Sequence, residues 1–288
     1  MIVVAGARLQ QMKIGVVVKK DSRLAQNIAK EILVYGHRSL GVEMFVEAGI
    51  AEDLGWSRVF SLDKDKVNVV VVVGGDGTLL RALQKLRFTE TAVLGVKAGR
   101  RAFLLEVEPR EALDRLRDVV EGRYRVCEYM RLEVLTEKDR HNYYALNDVV
   151  VASVRDERSE VVKLEVDVDG ETLYTFDGDG VIIATPLGST AYAFSAGGPV
   201  VDEDIEAIVV TPLAPMQPYA RPVVLAPSRT VRVVNSSETD HALCIVDGNT
   251  VARLSPGESV AIKKATSSAK FICFRGVKTF GRVRACEF

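Results

Sequence analysis

Val67-Asn-Val-Val-Val-Val-Val73, then Gly74-Gly75-Asp76-Gly77-Thr78, then Leu79-Leu80-Arg81-Ala82-Leu83, is the stretch that decides the fold. A valine run interrupted only by Asn68 has no polar face to turn to water, so it reads as a parallel strand buried on both sides. The residues after it recur at helical spacing, and Thr78–Leu86 is expected to be helical. Strand, glycine-rich turn and helix together form the repeating unit of a parallel α/β sheet, whose ligands sit beyond the carboxyl ends of the strands. Asp76 falls at that end. Glycines let the backbone turn sharply and approach a ligand where a Cβ would collide. A helix N-terminus adds unpaired N–H groups and a positive dipole end, both suited to phosphate. Gly74, Gly75, Gly77 and Thr78 are therefore candidate phosphate-binding residues, with Thr78 the expected helix cap. The plainer alternative is a strand-to-helix turn with a solvated Asp76; three glycines around one aspartate favour function.

Working outward, Ile14–Val18, Glu43–Val46 and Ala92–Val96 read as further strands, and Arg23–Val34 and Pro109–Val120 as amphipathic helices. The expected helix face of Arg23–Val34 is Leu24, Ile28, Ile32 and Leu33 with Ala25 and Ala29. This alternation predicts an α/β N-terminal domain with a parallel sheet over residues 12–121. The pattern changes at Glu121-Gly122. Strand candidates then follow at Arg131–Thr136, Tyr143–Ala152, Lys163–Val168, Glu171–Phe176, Val181–Thr185, Ile208–Thr211, Val223–Leu225, Thr230–Val234 and Cys244–Val246. Asp169-Gly170 and Asp247-Gly248 are hairpin-turn dipeptides, and the one helical stretch is near Ala191–Ala196. Residues 122–267 are thus expected to be a mostly antiparallel, sandwich-like β domain. No low-complexity linker separates the two domains, which predicts a tight interface.

Composition bounds the function. The chain has 288 residues, 48% of them hydrophobic and 27% charged, with a formal net charge of -1. That balance is globular and offers no global attraction to nucleic acid or acidic membranes, so an anionic substrate needs a local arrangement. Cys127, Cys244, Cys273 and Cys286 are far apart in sequence, which argues against zinc ligation or a disulfide framework and for reduced thiols in a cytoplasm. His37, His141 and His241 fit no metal or triad spacing and read as surface residues. The apolar start is too short for a signal peptide or membrane span, and Met12 looks like a second, more natural beginning; residues 1–11 carry no functional weight.

The glycine-rich turn lacks the Gly-x-x-x-x-Gly-Lys-Ser/Thr of a Walker loop and the Gly-x-Gly-x-x-Gly of dinucleotide folds. It resembles the Gly-Gly-Asp-Gly-Thr/Ser signature shared by NAD kinases, diacylglycerol and sphingoid-lipid kinases and 6-phosphofructokinases. A second stretch separates these. Asp179-Gly180-Val-Ile-Ile-Ala-Thr185-Pro186-Leu187-Gly188-Ser189-Thr190-Ala191-Tyr192, then Ser195-Ala196-Gly197-Gly198-Pro199, is similar to the long NAD kinase signature almost throughout. Its small and hydroxyl residues suit a floor for a flat base; an ordinary Gly/Ser loop is the alternative. Asn147-Asp148 matches that family's Asn-Glu pair with Asp for Glu. An amide beside a carboxylate can grip vicinal ribose hydroxyls, although alone the pair reads better as a strand-edge turn. Gly95–Leu104 matches in part, with Lys97 where the family has Asn and Ala102 where it has Gly.

Lys97, Arg100 and Arg101 are candidates for a positive field around a polyphosphate, weighed evenly against a solvated basic loop. Arg81, one turn beyond Thr78, is a further phosphate candidate. Phe103 is a lining candidate or core. Asn249, in Asp247-Gly248-Asn249, is similar to the family's late Asp-Gly-Gln segment, which is also an ordinary hairpin.

The NAD kinase resemblance implies more than the residues alone. Its members pair an α/β domain with a β-sandwich-like domain, have the active site in the cleft between them, and return their last segment to the first domain. Residues 268–288 would make that return, with Lys270–Phe274 and Arg282–Ala285 as candidates. The implied reaction is phosphoryl transfer from ATP or inorganic polyphosphate to the adenosine 2′-hydroxyl of NAD. Asp76 would be the general base, and Gly77 would meet phosphate. Asn147, Asp148, Asp179, Thr190, Ala191, Tyr192 and Ser195 would hold NAD. Mg²⁺ or another divalent metal would arrive with the donor, with no dedicated protein site. A cytoplasmic homodimer or homotetramer without nucleic-acid or membrane partners is expected. A lipid kinase would need an apolar slot, a sugar-phosphate kinase more basic residues, and a dinucleotide sensor would not need Asp76.

Overall fold

The computed structural model describes residues 12–99, 102–136, 142–154 and 161–274. Residues 1–11, Arg100, Arg101, His141, Arg282–Ala285 and Cys286, named above, lie outside the described residues. The chain divides into two compact units, one running to Glu128 and resuming at Ala269, the other beginning at Tyr129 and running to Ser268.

The first unit alternates strand and helix: β1 Lys13–Val18, α1 Arg23–Arg38, β2 Glu43–Glu47, α2 Ala51–Leu54, β3 Val59–Phe60, β4 Val69–Gly74, α3 Asp76–Lys85, β5 Ala92–Lys97, α4 Ala112–Val120 and β6 Arg125–Tyr129. β4 is the valine run, buried along its whole length because β1 and β5 flank it in parallel and helices cover its faces. Asn68, its one polar neighbour, accepts the Lys13 N–H at 2.8 Å and so pairs the start of β1. Ser22 caps α1, whose buried face is Ala25, Ile28, Ala29, Ile32, Leu33 and Gly36. Leu24, expected on that face, is 52% exposed: the stripe of the completed helix is centred on the i, i+3, i+4 set from Ala25. The expected helix Pro109–Val120 opens as a 3₁₀ turn, Pro109–Glu111, before α4.

The second unit stacks two antiparallel sheets. Its strands are β7 Leu132–Thr136, β8 Tyr143–Ala145, β9 Asp148–Ser153, β10 Val162–Val168, β11 Glu171–Gly178, β12 Gly180–Ala184, β13 Ile208–Leu213, β14 Val223–Leu225, β15 Thr230–Asn235, β16 Ala242–Val246, β17 Asn249–Leu254 and β18 Ser259–Lys264. One sheet has the order β11-β10-β15-β18-β7-β8, the other β14-β13-β12-β9-β16-β17. Leu164, Val166, Val231 and Val233 from the first meet Val149, Val151, Val181 and Ile183 from the second in a shared core. The alternate residues Val150, Ile182 and Ala184 face the other way, onto Ala193, Val201, Ala207 and Leu213. Burial on both faces explains why β9 and β12 are apolar without alternation, and it lays the segment after Thr185 on the outer face of the second sheet.

The last described strand, β19 Ala269–Cys273, leaves the second unit and pairs in parallel with β5, giving the first sheet the order β3-β2-β1-β4-β5-β19-β6. The α/β plus antiparallel β class expected from the sequence is the class observed. Two further expectations fail. Tyr143–Ala152 is two strands in different sheets, broken at Leu146-Asn147. His241 is only partly exposed, with a buried Nδ1 that meets no partner among the described residues. β3, β6, β17 and β18 were not foreseen, being short or laced with polar residues.

Candidate functional site

In the first unit, the turn between β4 and α3 is compact because Gly74 leaves room for Thr78. A Cβ at residue 74 would stand 2.6 Å from Thr78 Oγ1. The helix begins at Asp76 with Gly75 as its N-cap, and Thr78 and Leu79 donate their N–H groups to the Gly75 carbonyl at 3.0 and 3.2 Å. The expected capping role of Thr78 is therefore corrected: the residue lies inside the first turn, packed against Gly74. Gly77 differs from Gly74 in that a Cβ there would meet nothing within 4 Å among the described residues. The protein's own packing does not require that glycine, which costs a helix about 0.5–1 kcal/mol relative to alanine.

Asp76 is held on both oxygens: Oδ2 accepts the Phe103 N–H at 3.0 Å and Oδ1 the Leu104 N–H at 2.9 Å. With the Ala98 N–H donating to Gly74 O at 2.7 Å, the partial motif after β5 is laced onto the glycine-rich turn. Phe103 is exposed, not core. Of the expected cations, Lys97 and Arg81 are engaged within the unit, while Arg100 and Arg101 lie outside the described residues. Lys97 Nζ pairs with Glu108 at 2.7 Å, and Arg81 grips Glu47 with both amino groups at 2.7 and 2.8 Å. Burial would raise the Glu47 carboxyl, but the hydrogen bond and charge of Arg81, with Lys85 and Lys20 beyond, hold it below the ordinary value. Arg81 is raised in turn by that hydrogen bond. Glu47 and Lys20 carried no sequence signal.

In the second unit, the corner between β8 and β9 is organised by a carboxylate that sequence reading treated as part of a turn. Asp247 Oδ2 accepts the Leu146 N–H at 2.8 Å, and Oδ1 accepts those of Asn147 and Asp148 at 2.9 and 3.1 Å. These bonds replace a sheet ladder, which is why the chain breaks there. The Asn147 carbonyl accepts the Thr185 N–H at 2.9 Å, and Thr185 Oγ1 donates to Leu146 O at 2.6 Å. Gly188 donates to that same hydroxyl at 3.0 Å, and a Cβ on Gly188 would collide with the Asn147 carbonyl. Ser189 Oγ accepts the Val201 N–H at 3.0 Å and donates to Pro186 O at 2.6 Å, tying down the loop that carries Thr190, Ala191, Tyr192 and Ser195. Tyr192 and Ser195, in the short α5 Tyr192–Ser195, are exposed.

The backbone of Asn147-Asp148 is thus fully tied. Among the described residues, neither the Asn147 side-chain amide nor the Asp148 carboxyl meets a hydrogen-bonding partner. Burial pushes the Asp148 carboxyl up to about 7, and the charge of Asp247 adds to the rise. Asn249 reaches the Asp247 carbonyl at 3.5 Å, so it belongs to the same corner. Asp179 does not. It precedes Gly180, which pairs with Ala152, whereas Ala184 pairs with Asp148. Five strand steps separate it from that corner, about 16 Å.

Two family descriptions match the chain: "ATP-NAD kinase N-terminal domain" over residues 14–124 and "ATP-NAD kinase C-terminal domain" over residues 146–274. The NAD kinase of Aeropyrum pernix is 37% identical over 264 residues, covering 91% of this chain and 92% of its own. That of Thermococcus kodakarensis is 35% identical over 266 residues, 91% and 94% of the two chains. Among solved structures, an NAD kinase from Archaeoglobus fulgidus in complex with ATP superposes with a TM-score of 0.75 at 30% identity, covering 95% of this chain and 99% of that one. Yeast NADH kinase complexed with NADH shares the fold, with a TM-score of 0.87 at 23% identity over 96% of this chain and 87% of that one.

Proposed function

Because the chain belongs to the NAD kinase family, we propose that it transfers the terminal phosphoryl group of ATP, or of inorganic polyphosphate, to the adenosine 2′-hydroxyl of NAD, giving NADP. The observation that carries this reading is the locked Asn147-Asp148 corner. An amide and a carboxyl without partners of their own, on a backbone already satisfied, form a preorganised grip for vicinal ribose hydroxyls. The loop of Thr190, Ala191, Tyr192 and Ser195 would floor the bound dinucleotide, and Asn249 would border the ribose.

In the proposed reaction the 2′-oxygen forms a bond to phosphorus as the bridging bond of the donor breaks and its electrons leave on the departing phosphate. Asp76 accepts the hydroxyl proton. A carboxylate is a weak base at neutral pH, so its contribution is placement, which the Phe103 and Leu104 N–H groups supply. Gly77 leaves the helix N-terminus open to the donor phosphates. Arg81 and Lys97 serve phosphate by exchanging or sharing their present carboxylate partners; Arg100 and Arg101 remain candidates from sequence. No group of three His, Cys, Asp or Glu side chains is placed to hold a metal among the described residues. Mg²⁺ would arrive with the donor, bound by phosphate oxygens, water and one or two carboxylates; Asp76 is the carboxylate at hand, and the ion would neutralise charge on the transferred group. No described helix is long and apolar enough to cross a membrane. We further propose a cytoplasmic homodimer or homotetramer, a state that light scattering on the eluting protein would measure.

The test is direct. Purified protein with Mg²⁺ and NAD, given ATP in one reaction and polyphosphate in another, should yield NADP, read with an NADP-specific dehydrogenase. NADH run beside NAD reports acceptor range. If neither donor yields NADP, the proposed reaction is wrong.

A further inference from the structure

We propose that Asp247 is a positioning residue for the dinucleotide: its carboxylate gathers the Leu146, Asn147 and Asp148 N–H groups into the corner that leaves the Asn147 amide and Asp148 carboxyl free to take the ribose. The inference deepens the reading given above and rests on it.

Three features carry it. First, a buried carboxylate that accepts three backbone N–H groups in a row is an expensive arrangement in a simple hairpin, where Asp-Gly would satisfy the turn by its backbone alone. Asp247 makes that turn too, at φ 44 beside Gly248 at φ 81, while its carboxylate takes the three N–H groups leading into β9, a hundred residues earlier. Second, the corner is closed from the opposite side by Thr185 and Gly188, with no room for a Cβ at 188. The backbone therefore has one position, held from both sides. Third, what this costs the fold leaves two polar side chains without partners, which a structural role would have no reason to do.

The arrangement has an electrostatic consequence. Asp148 and Asp247 lie close enough to repel, and among the described residues no cation offsets them. β12 and the loop through Thr190 bring no ionisable side chain; β8 brings Tyr143 and Tyr144, β16 only the thiol of Cys244, and Arg253 lies at the far, exposed end of β17. Burial raises the Asp247 carboxyl while its three N–H donors pull it back. Asp148 has no such donors, and burial with the charge of Asp247 pushes its carboxyl up to about 7. The dinucleotide, donating a hydroxyl, is held best when Asp148 is ionised.

The experiment combines NAD calorimetry, NADP formation and amide exchange. In the wild type, NAD affinity should strengthen as pH rises through about 7, and the amides of Leu146–Asp148 should exchange slowly even without NAD. Asp247→Asn substitutes a donor for one acceptor oxygen. It should raise KM for NAD about tenfold or more, the loss of one charge-assisted hydrogen bond, with kcat changed far less, and should move the pH dependence to lower pH. Asp148→Asn should keep slow amide exchange and lose the pH dependence. Fast exchange at 146–148 in the wild type overturns the proposal without any variant. So does a folded Asp247→Asn protein with unchanged KM and pH profile. If Asp247→Asn does not fold, exchange and the pH dependence of NAD binding in the wild type still decide. A wild type that binds NAD with this profile but makes no NADP would sink the kinase reaction and leave the positioning role standing.

Discussion

At the scale of single residues, Asp76 and Asp148 are two carboxylates in opposite circumstances. Asp76 has a backbone donor on each oxygen, and Asp148 has none among the described residues. Asp76→Asn turns one acceptor into an NH₂ facing the Phe103 or Leu104 N–H. It should lower kcat by about 10²–10⁴-fold, the usual worth of general-base catalysis, with NAD affinity by calorimetry little changed; full turnover would remove the base role alone. Asp148 governs a stability term. Burial and the charge of Asp247 push its carboxyl from an ordinary 3.8 up to about 7 in the folded chain. A raised folded value means the unfolded chain gives up its proton first, so the native state loses stability as pH climbs between those values and holds level above. Asp148→Asn removes that loss. Its urea midpoint should exceed that of the wild type at pH 8 and converge with it near pH 4, and parallel curves would show the carboxyl is not raised. The Asn-Asp pair was visible in the sequence as a candidate; its unusual environment was not, because Asp247 lies a hundred residues away.

At the scale of elements, the glycines separate fold from function. Gly188 lies against the Asn147 carbonyl, so Gly188→Ala should lower the melting temperature and raise KM for NAD together, the backbone having to move for any Cβ. Gly77→Ala meets open space inside a helix, so it should leave the melting temperature equal or higher while weakening the donor, seen as a raised KM for ATP. If Gly77→Ala lowers stability and spares the donor, the open space is not a phosphate site. From sequence both are glycines in a motif. The valine strand, α3 and the hairpins were legible because their periods and turn residues are local properties. The break of Tyr143–Ala152 was not, since Tyr143, Tyr144 and Val149–Val151 favour a strand and the competing hydrogen bonds come from another hairpin.

At the scale of the whole molecule, the first unit is discontinuous. β19 arrives after the entire second unit and lies between β5 and β6, burying Phe271 and Ile272. A chain ended at Ser268 should lose the cooperative unfolding of the first unit and expose that apolar edge, detected as dye binding and aggregation; a truncated protein that melts like the full chain would contradict the pairing. The fold class, the order of its elements and the family were determined by the sequence itself. Hydrophobic period, turn chemistry and two motifs are all written within short windows of the chain. What tertiary structure alone decided is which groups are already satisfied. Arg81 and Lys97 have carboxylate partners, Thr78 fills the space beside Gly74, Asp179 sits at the far end of β12 from Asp148, and Asp247 holds the corner that Asn147 and Asp148 share. Partnership is a property of position in space. Residues far apart in the chain set it, and no window of sequence contains both ends.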